Sequence, residues 1–274
     1  MKKVISEIVD YPVKSLGGIS VNSDSLTDRG LKHDRRWMLI NERYQFLTIR
    51  QHPEFLFYDT EHVGDGFRIS KKGDSDTLII PASIEQGETK RVTVWDDVVD
   101  AIVAPPAINE WFSHSLDIGC ELVYLPETSP RRVQPAWVEE EKHVSFADGY
   151  PYLIVGQASL DDLNDKMTEE MTVQRFRPNI VVTGGQPYEE YYWKDITVGT
   201  GQLKGIKPCT RCIVTTMDPV TAQKGKEPLK TLFQQRVNDK MIFGQNAIMT
   251  KAGSISVGDE LLINSKKQSP YEPV

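Results

Sequence analysis

Short runs of β-prone residues, separated by turn formers, recur through the first hundred residues of this chain. Helical periodicity is confined to a few scattered segments, and a regular alternation of strand and helix is missing. This pattern predicts a mainly β fold with a few helices and a β-barrel-like architecture, and it argues against a doubly wound α/β sheet. The clearest β-prone runs are 4–9, 37–40, 67–70, 78–80 and 91–95.

The rest of the chain predicts three helices and further strands. Apolar residues at helical spacing indicate a helix over residues 108–116. A second helix is expected to be capped by Ser159 in a Ser-x-x-Asp arrangement, and a third to begin near Pro228. Strands are expected over 152–155, 179–183, 212–216, 241–249 and 255–263.

The polar stretch 126–145 contains three prolines and is typical of a linker or a long functional loop. We therefore predict an N-terminal β domain over residues 1–125, a second domain over 126–265 and a C-terminal tail over 266–274.

The charge and composition of the chain exclude some classes of partner. The formal net charge is −7, and no block of Lys and Arg offsets it, so nucleic acid is a poor partner. No apolar run approaches the roughly 20 residues of a membrane-spanning helix, and the N-terminus lacks a signal-peptide core. Three cysteines are too few for a disulfide scaffold. We therefore expect a cytoplasmic protein with free thiols and no membrane partner.

The sharpest local motif is Cys209-Thr210-Arg211-Cys212. A zinc site is disfavoured because the other ligand types show no paired spacing. A thiol–disulfide site lacks the β-α-β context of thioredoxin-like domains, and a plain turn at a strand edge remains open. One thiolate could also bind a transition metal whose other ligands come from a cofactor.

Cations lie beside tight turns at Lys14, Arg35 and Arg177. Each alone is typical of a solvated strand end. Arg177 differs because Pro178 stiffens the backbone after it, and a rigid guanidinium suits phosphate or a carboxylate-like heterocycle.

Together, four strings resemble the MOSC molybdenum-cofactor proteins. The chain is most similar to the branch that contains the mitochondrial amidoxime-reducing component and its bacterial relatives, and the resemblance runs from about residue 4 to 262. It implies a β-barrel-like MOSC domain packed with a smaller N-terminal β-barrel domain. The strings are Tyr-Pro-Val-Lys-Ser (11–15), Asp-Arg-Arg-Trp-Met-Leu-Ile-Asn (34–41), Phe-Arg-Pro-Asn-Ile-Val-Val (176–182) and Cys-Thr-Arg-Cys-Ile-Val-Thr-Thr-Met-Asp-Pro (209–219).

The resemblance implies a molybdenum cofactor (molybdopterin) whose metal is bound by Cys212, whereas Cys209 matches a cysteine that does not bind the metal. An acidic residue near the metal falls on Asp148, which with Cys212 is a candidate catalytic residue. The next residues, Gly149 and Tyr150, replace small hydroxyl residues of eukaryotic relatives. Cofactor-binding positions fall on Lys14, Ser15, Arg35, Arg177, Asn179 and Thr210.

The implied activity is a reductase of N-hydroxylated compounds such as N-hydroxylated bases, amidoximes or hydroxylamines. Electrons would come from a separate redox protein, because three cysteines cannot hold a ferredoxin-type cluster. Two alternatives remain. One is a non-catalytic cofactor-binding or sulfur-carrier protein, since MOSC domains also occur at the ends of cofactor sulfurases. The other is thiol–disulfide exchange by Cys209 and Cys212.

Overall fold

Strands dominate the structure, as the sequence predicts. The computed structural model describes residues 2–271, which contain eighteen β-strands. They are β1 (Val4–Asp10), β2 (Ile19–Val21), β3 (Ser23–Thr27), β4 (Gly30–Leu31), β5 (Trp37–Ile40), β6 (Tyr58–Val63), β7 (Gly66–Lys71), β8 (Thr77–Pro81), β9 (Thr89–Val94), β10 (Asp97–Val103), β11 (Glu121–Tyr124), β12 (Tyr152–Gly156), β13 (Ile180–Thr183), β14 (Asp195–Val198), β15 (Gly201–Thr210), β16 (Ile242–Lys251), β17 (Gly253–Ser256) and β18 (Leu261–Ile263).

Within residues 2–271 there are three α-helices, and none is long and apolar enough to cross a bilayer. They are α1 (Pro106–Leu116), α2 (Gln157–Asn164) and α3 (Leu229–Gln234). Four 3₁₀ turns cover Pro53–Phe57, Val173–Phe176, Glu189–Tyr192 and Ile213–Thr216. The mainly β fold with few helices is confirmed.

The largest sheet has eight strands in the order β18-β14-β15-β16-β12-β13-β1-β2. Its pairings are antiparallel except for β12 and β13, which are parallel and are connected through α2. Residues 2–271 therefore contain one β-α-β unit, although the sequence showed no regular alternation of strands and helices. A single crossover does not make a doubly wound sheet, because the other strand pairings of this sheet are antiparallel.

Two smaller sheets come from the first 125 residues, β5-β11-β10-β9 and β6-β7-β8. They enclose a core that includes Trp37, Phe55 and Tyr58, and α1 covers it with Phe112. Strand β1 pairs instead with β13, and β3 pairs with β17. The first thirty residues thus connect the two halves of the molecule, and the division predicted at residue 125 stays a prediction.

Helix α2 begins at Gln157, and its N-cap is Gly156 rather than Ser159. The Ser159 hydroxyl donates a hydrogen bond to the buried carboxylate of Glu190, at 2.8 Å, and does not cap the helix. The expected cap was therefore wrong, because a tertiary partner takes the hydroxyl that local spacing assigned to the helix.

The strand expected over 212–216 was also wrong. Strand β15 ends at Thr210, and Ile213–Thr216 forms a 3₁₀ turn. The hydroxyl of Thr215 donates to the carbonyl of Cys212 at 3.0 Å, and that of Thr216 donates to Ile213 at 2.8 Å. Such local bonds compete with a sheet ladder and favour a turn. Cys212 therefore lies at the junction of a strand and a turn.

Candidate functional site

A cavity of about 220 Å³ lies where the two halves of the molecule meet. All eight site residues predicted from the sequence line this cavity, although they lie between positions 14 and 212 of the chain. They are Lys14, Ser15, Arg35, Asp148, Arg177, Asn179, Thr210 and Cys212. The structure thus brings the predicted residues together, while the role of each remains to be tested.

Backbone hydrogen bonds align the segments that carry these residues. The Arg35 N–H donates to the carbonyl of Tyr11 at 2.7 Å, and the Arg35 carbonyl accepts from Phe146 at 2.9 Å. The Lys14 N–H donates to Trp37 at 2.8 Å. Backbone hydrogen bonds alone therefore hold three loops that are distant in sequence against one another.

Three of the predicted site residues have a left-handed backbone that non-glycine residues rarely adopt. The φ angles are 76° at Ser15, 49° at Arg35 and 53° at Arg177. Each such conformation costs on the order of 1–3 kcal/mol and persists only where the surroundings impose it. Strain concentrated on one cavity wall is typical of a functional site.

Arg35 is neutralised from behind by a buried carboxylate. Its Nη1 donates to both oxygens of Asp34 at 2.8 Å, and Asn179 donates to the same carboxylate at 2.8 Å. Burial alone would lower the pKa of Arg35, but the adjacent Asp34 raises it, so the guanidinium stays charged. Asn179 and Arg35 are held as one preorganised unit.

The positive charge of Arg177, unlike that of Arg35, has no carboxylate beside it. Its Nη2 donates to the carbonyl of Leu16 at 2.8 Å, and its guanidinium lies 4.3 Å from the centre of the Tyr11 ring. Among residues 2–271, no carboxylate lies within ion-pair distance of it. Burial lowers the pKa of Arg177 to about 10, so it remains charged at neutral pH. An uncompensated guanidinium in a cavity wall favours an anionic ligand.

Lys14 and Asp148 form an ion pair across the cavity. The Lys14 ammonium donates to Asp148 at 2.6 Å and to the carbonyl of Phe146 at 2.7 Å. Burial lowers the pKa of Lys14 to about 8, although Asp148 acts in the opposite direction. Burial would raise the pKa of Asp148, but Lys14 holds it well below its usual value. The Asp148 side chain is still 61% exposed, so it remains accessible in the cavity.

Arg50 was missed in the sequence, yet it contacts the thiol of the motif. Its Nη2 lies 3.3 Å from the Cys212 Sγ and 3.3 Å from Asp148, and its guanidinium stacks 4.4 Å from the centre of the Trp95 ring. A cation three residues before Pro53 was the available signal, whereas Arg177 directly precedes its proline. That pattern was too common to single out Arg50.

Cys209 lines the same cavity, and its Sγ accepts a hydrogen bond from Arg211 Nη1 at 2.9 Å. Arg211 also donates to the carbonyl of Phe176, while its buried Nε has no partner within residues 2–271. Cys209 and Cys212 are both free thiols. The structure therefore leaves both sulfurs available, and the distinction between them rests on the resemblance.

The cavity is strongly cationic inside an acidic chain. Its described lining residues include one carboxylate, that of Asp148. Throughout residues 2–271, no cluster of three or more His, Cys, Asp or Glu could hold a metal by itself. The arrangement suits an anionic group that brings most of its own metal ligands. The cations are Lys14, Arg35, Arg50, Arg175, Arg177 and Arg211.

Comparisons with known proteins identify the family of the chain. The family model described as MOSC domain matches residues 141–262, and that of the MOSC N-terminal beta barrel domain matches residues 2–118. The chain is 31% identical to mitochondrial amidoxime-reducing component 1 of Mus musculus, over 94% of this chain and 82% of that protein. It belongs to the MOSC family.

This MOSC protein is also similar to two further proteins, a second amidoxime-reducing component and a cofactor sulfurase. Mitochondrial amidoxime reducing component 2 of Homo sapiens is 30% identical over 93% of this chain and 82% of its own length. Molybdenum cofactor sulfurase of Arabidopsis thaliana is 28% identical over 88% of this chain but only 32% of its own length. The resemblance read from the four sequence motifs is confirmed.

The Lys14 ammonium should make ligand retention depend on pH. Because its pKa is about 8, its protonated fraction falls from about nine-tenths at pH 7 to about one-tenth at pH 9. Loss of that charge also leaves Asp148 to repel an anion. We expect less bound molybdenum after dialysis at pH 9 than at pH 7. A Lys14→Arg variant, which keeps its charge, should not show this step; an identical drop in the variant would assign the step to another group.

Proposed function

We propose that this MOSC protein is a molybdenum-cofactor-dependent reductase of N-hydroxylated compounds that receives electrons from a separate redox protein. The observation that carries the proposal is the cavity itself, which is lined by the Cys212 thiol and by two guanidinium groups, those of Arg177 and Arg211, that have no carboxylate partner among residues 2–271. The names of the relatives, amidoxime-reducing components, support the choice of substrate class.

The residues present fit molybdopterin. This cofactor carries a terminal phosphate and two dithiolene sulfurs, so it needs cations, amides and one further thiolate. Arg177 lacks a carboxylate and Arg211 has an unpartnered buried Nε, which are the features expected of groups that await an anion. Arg35, Asn179, Ser15 and Thr210 would complete the cradle, and Cys212 would be the protein ligand of the metal. When bound, the cofactor supplies the two-electron chemistry that breaks the N–O bond.

The overall step consumes two electrons and two protons: the N–O bond breaks, one proton is added to the nitrogen, and the other joins the departing hydroxyl, which leaves as water. At neutral pH Asp148 is ionised, because Lys14 lowers its pKa, so it accepts a hydrogen bond from the substrate and does not donate a proton. Lys14, with a pKa of about 8, holds a transferable proton on Nζ at 2.6 Å from Asp148. We therefore place proton supply on Lys14 and substrate orientation on Asp148.

Electron supply gives the direct test. The chain has three cysteines, too few for a ferredoxin-type cluster, and no Gly-x-Gly-x-x-Gly fingerprint after a strand. We expect cofactor-loaded protein to reduce N-hydroxylated substrates with reduced viologen, and to oxidise no NAD(P)H until a reductase or small redox protein is added. Absorbance at 340 nm with and without the added protein measures this. Substrate-dependent NADH oxidation by the purified chain alone would contradict the proposal.

The second candidate is a non-catalytic cofactor-binding or sulfur-carrier role. Its specific support is the match to a molybdenum cofactor sulfurase and the presence of Cys209 in the same cavity as Cys212. Complete inactivity of molybdenum-replete protein with every artificial donor and N-hydroxylated substrate would favour this role. The cytoplasmic location predicted from the sequence stays a prediction, since the reductase relatives are named as mitochondrial proteins.

A further inference from the structure

Tyr11 begins one of the four motifs, yet it has no part in the site as described so far. It directly follows β1, is only 2% exposed and does not itself line the cavity. The Arg35 and Arg177 guanidinium carbons nevertheless both lie over its ring, each 4.3 Å from the ring centre. One buried ring therefore contacts two of the predicted cofactor-binding cations from behind the cavity wall.

The position of the Tyr11 ring is fixed by its own backbone and by a glycine beside it. The Tyr11 N–H donates to the Asp34 carboxylate at 3.2 Å, and the Tyr11 carbonyl accepts from the Arg35 N–H. A Cβ atom on Gly18 would lie 2.5 Å from the ring, so a side chain there would displace it. The ring is thus a fixed surface against which the two guanidinium groups rest.

Arg35 and Arg177 are like charges in one buried wall. Arg35 Nη2 donates to the Arg177 carbonyl at 3.3 Å, which holds the two residues side by side, and their positive charges repel each other. A guanidinium is attracted to the electron-rich face of an aromatic ring, and more strongly where water is excluded. Arg35 also has the Asp34 carboxylate, whereas Arg177 has the ring and the Leu16 carbonyl. The ring therefore matters most for Arg177.

The hydroxyl of Tyr11 does not provide this attraction. It is buried and has no hydrogen-bond partner within residues 2–271. Burial raises the pKa of Tyr11 to about 12, so the phenol stays neutral and supplies no negative charge at neutral pH. The attraction for the two guanidinium groups comes from the face of the ring.

We propose that Tyr11 is a positioning residue of the cavity, whose ring holds the Arg35 and Arg177 guanidinium groups together in the geometry that binds the anionic cofactor. This inference rests on the cofactor binding of the proposed function. In the cofactor-free protein the ring offsets the repulsion between the two cations. Groups that are already in place lose less freedom on binding, so the cofactor binds more tightly. Without the ring the cations separate, and the cofactor has to bring them back together.

Fluorinated rings at position 11 test the proposal with little change in the shape of the side chain. Fluorine withdraws charge from the ring face and weakens its attraction for a cation, while the ring stays apolar. Tyr11→Phe should retain as much cofactor as the wild type. Mono-, di- and trifluorinated phenylalanine at this position should retain progressively less, down to about tenfold less for the trifluorinated ring. Fluorometric pterin quantification of loaded protein after dialysis measures this and needs no turnover.

Phe233 provides the matched control for the fluorinated rings. Its ring lies 4.2 Å from the Arg236 guanidinium, it is 55% exposed, and neither residue lines the cavity. The same fluorinated residues at Phe233 should leave pterin retention unchanged.

A double-mutant cycle separates positioning from a general loss of packing. Tyr11→Leu should lower pterin retention about tenfold in the wild type but less than about threefold in an Arg177→Gln background, because one of the two positioned cations is then absent. Equal losses in the two backgrounds would contradict the positioning role. Should Tyr11→Leu fail to fold, the fluorinated rings decide alone, since they preserve the packing.

The outcomes distinguish this role from the reductase function. Constant pterin retention across the fluorinated rings at Tyr11 would make the positioning role wrong and leave the reductase function standing. A loss of pterin in Tyr11→Phe would assign the role to the hydroxyl and likewise overturn the proposal. If retention falls with fluorination but the loaded wild type reduces no N-hydroxylated substrate, the positioning role stands and the reductase function fails.

Discussion

Replacement of Cys212 by alanine is expected to abolish molybdenum retention and turnover. Cys212 lines the cavity at the point where strand β15 is followed by the 3₁₀ turn, and Arg50 Nη2 contacts its Sγ. Loss of a group that only supports a metal ligand typically costs 10–100-fold in metal affinity, so loss of the ligand should cost more than about 100-fold. Metal analysis of purified protein and a viologen-coupled rate measure the two effects.

The matched control is Cys209→Ala. Cys209 is in the same cavity and three residues away, but the family resemblance assigns the metal to Cys212. We expect Cys209→Ala to keep most of the molybdenum and most of the activity. Circular dichroism should be measured in parallel to verify that both variants are folded, because replacement of a half-buried thiol by alanine also removes some packing. Equal losses in the two variants would instead support a dithiol mechanism.

The second large effect is expected at Arg177. An Arg177→Gln variant should retain about 10- to 150-fold less cofactor, because a charge-assisted hydrogen bond to an anion contributes about 1.5–3 kcal/mol. The melting temperature of the cofactor-free protein should stay the same or rise, since the variant removes a buried charge that has no carboxylate partner in the described structure. Fluorometric pterin quantification and thermal denaturation measure the two quantities.

Arg175 provides the control for Arg177. It lines the same cavity as Arg177, but its guanidinium lies 3.1 Å from the Asp218 carboxylate and 3.1 Å from the carbonyl of Met217. Because its charge is already paired, Arg175→Gln should lower cofactor retention by less than about threefold. A larger loss from Arg175→Gln than from Arg177→Gln would mean that carboxylate pairing does not decide which cation binds the cofactor.

Local patterns were sufficient for the fold class but not for every element. Apolar spacing placed α1 correctly, and the β-prone runs correctly indicated a mainly β protein. The same reasoning failed at Ser159 and at 212–216, where side-chain hydroxyls bond to a distant carboxylate or to carbonyls of the same turn. Hydroxyl partners are set by packing, so residue type alone does not reveal them.

The sequence by itself determined the family, the thiol motif and which cations deserved attention, because short strings in a fixed order carry that information. Only the tertiary structure decided that Arg50 contacts Cys212, that Arg35 is neutralised while Arg177 is not, and that these residues line one cavity. The contact between Arg50 and Cys212 joins residues 162 positions apart, and Arg35 differs from Arg177 because a buried carboxylate lies beside it. Burial and partner distance set the charge state of a side chain, and both arise only when the loops pack together.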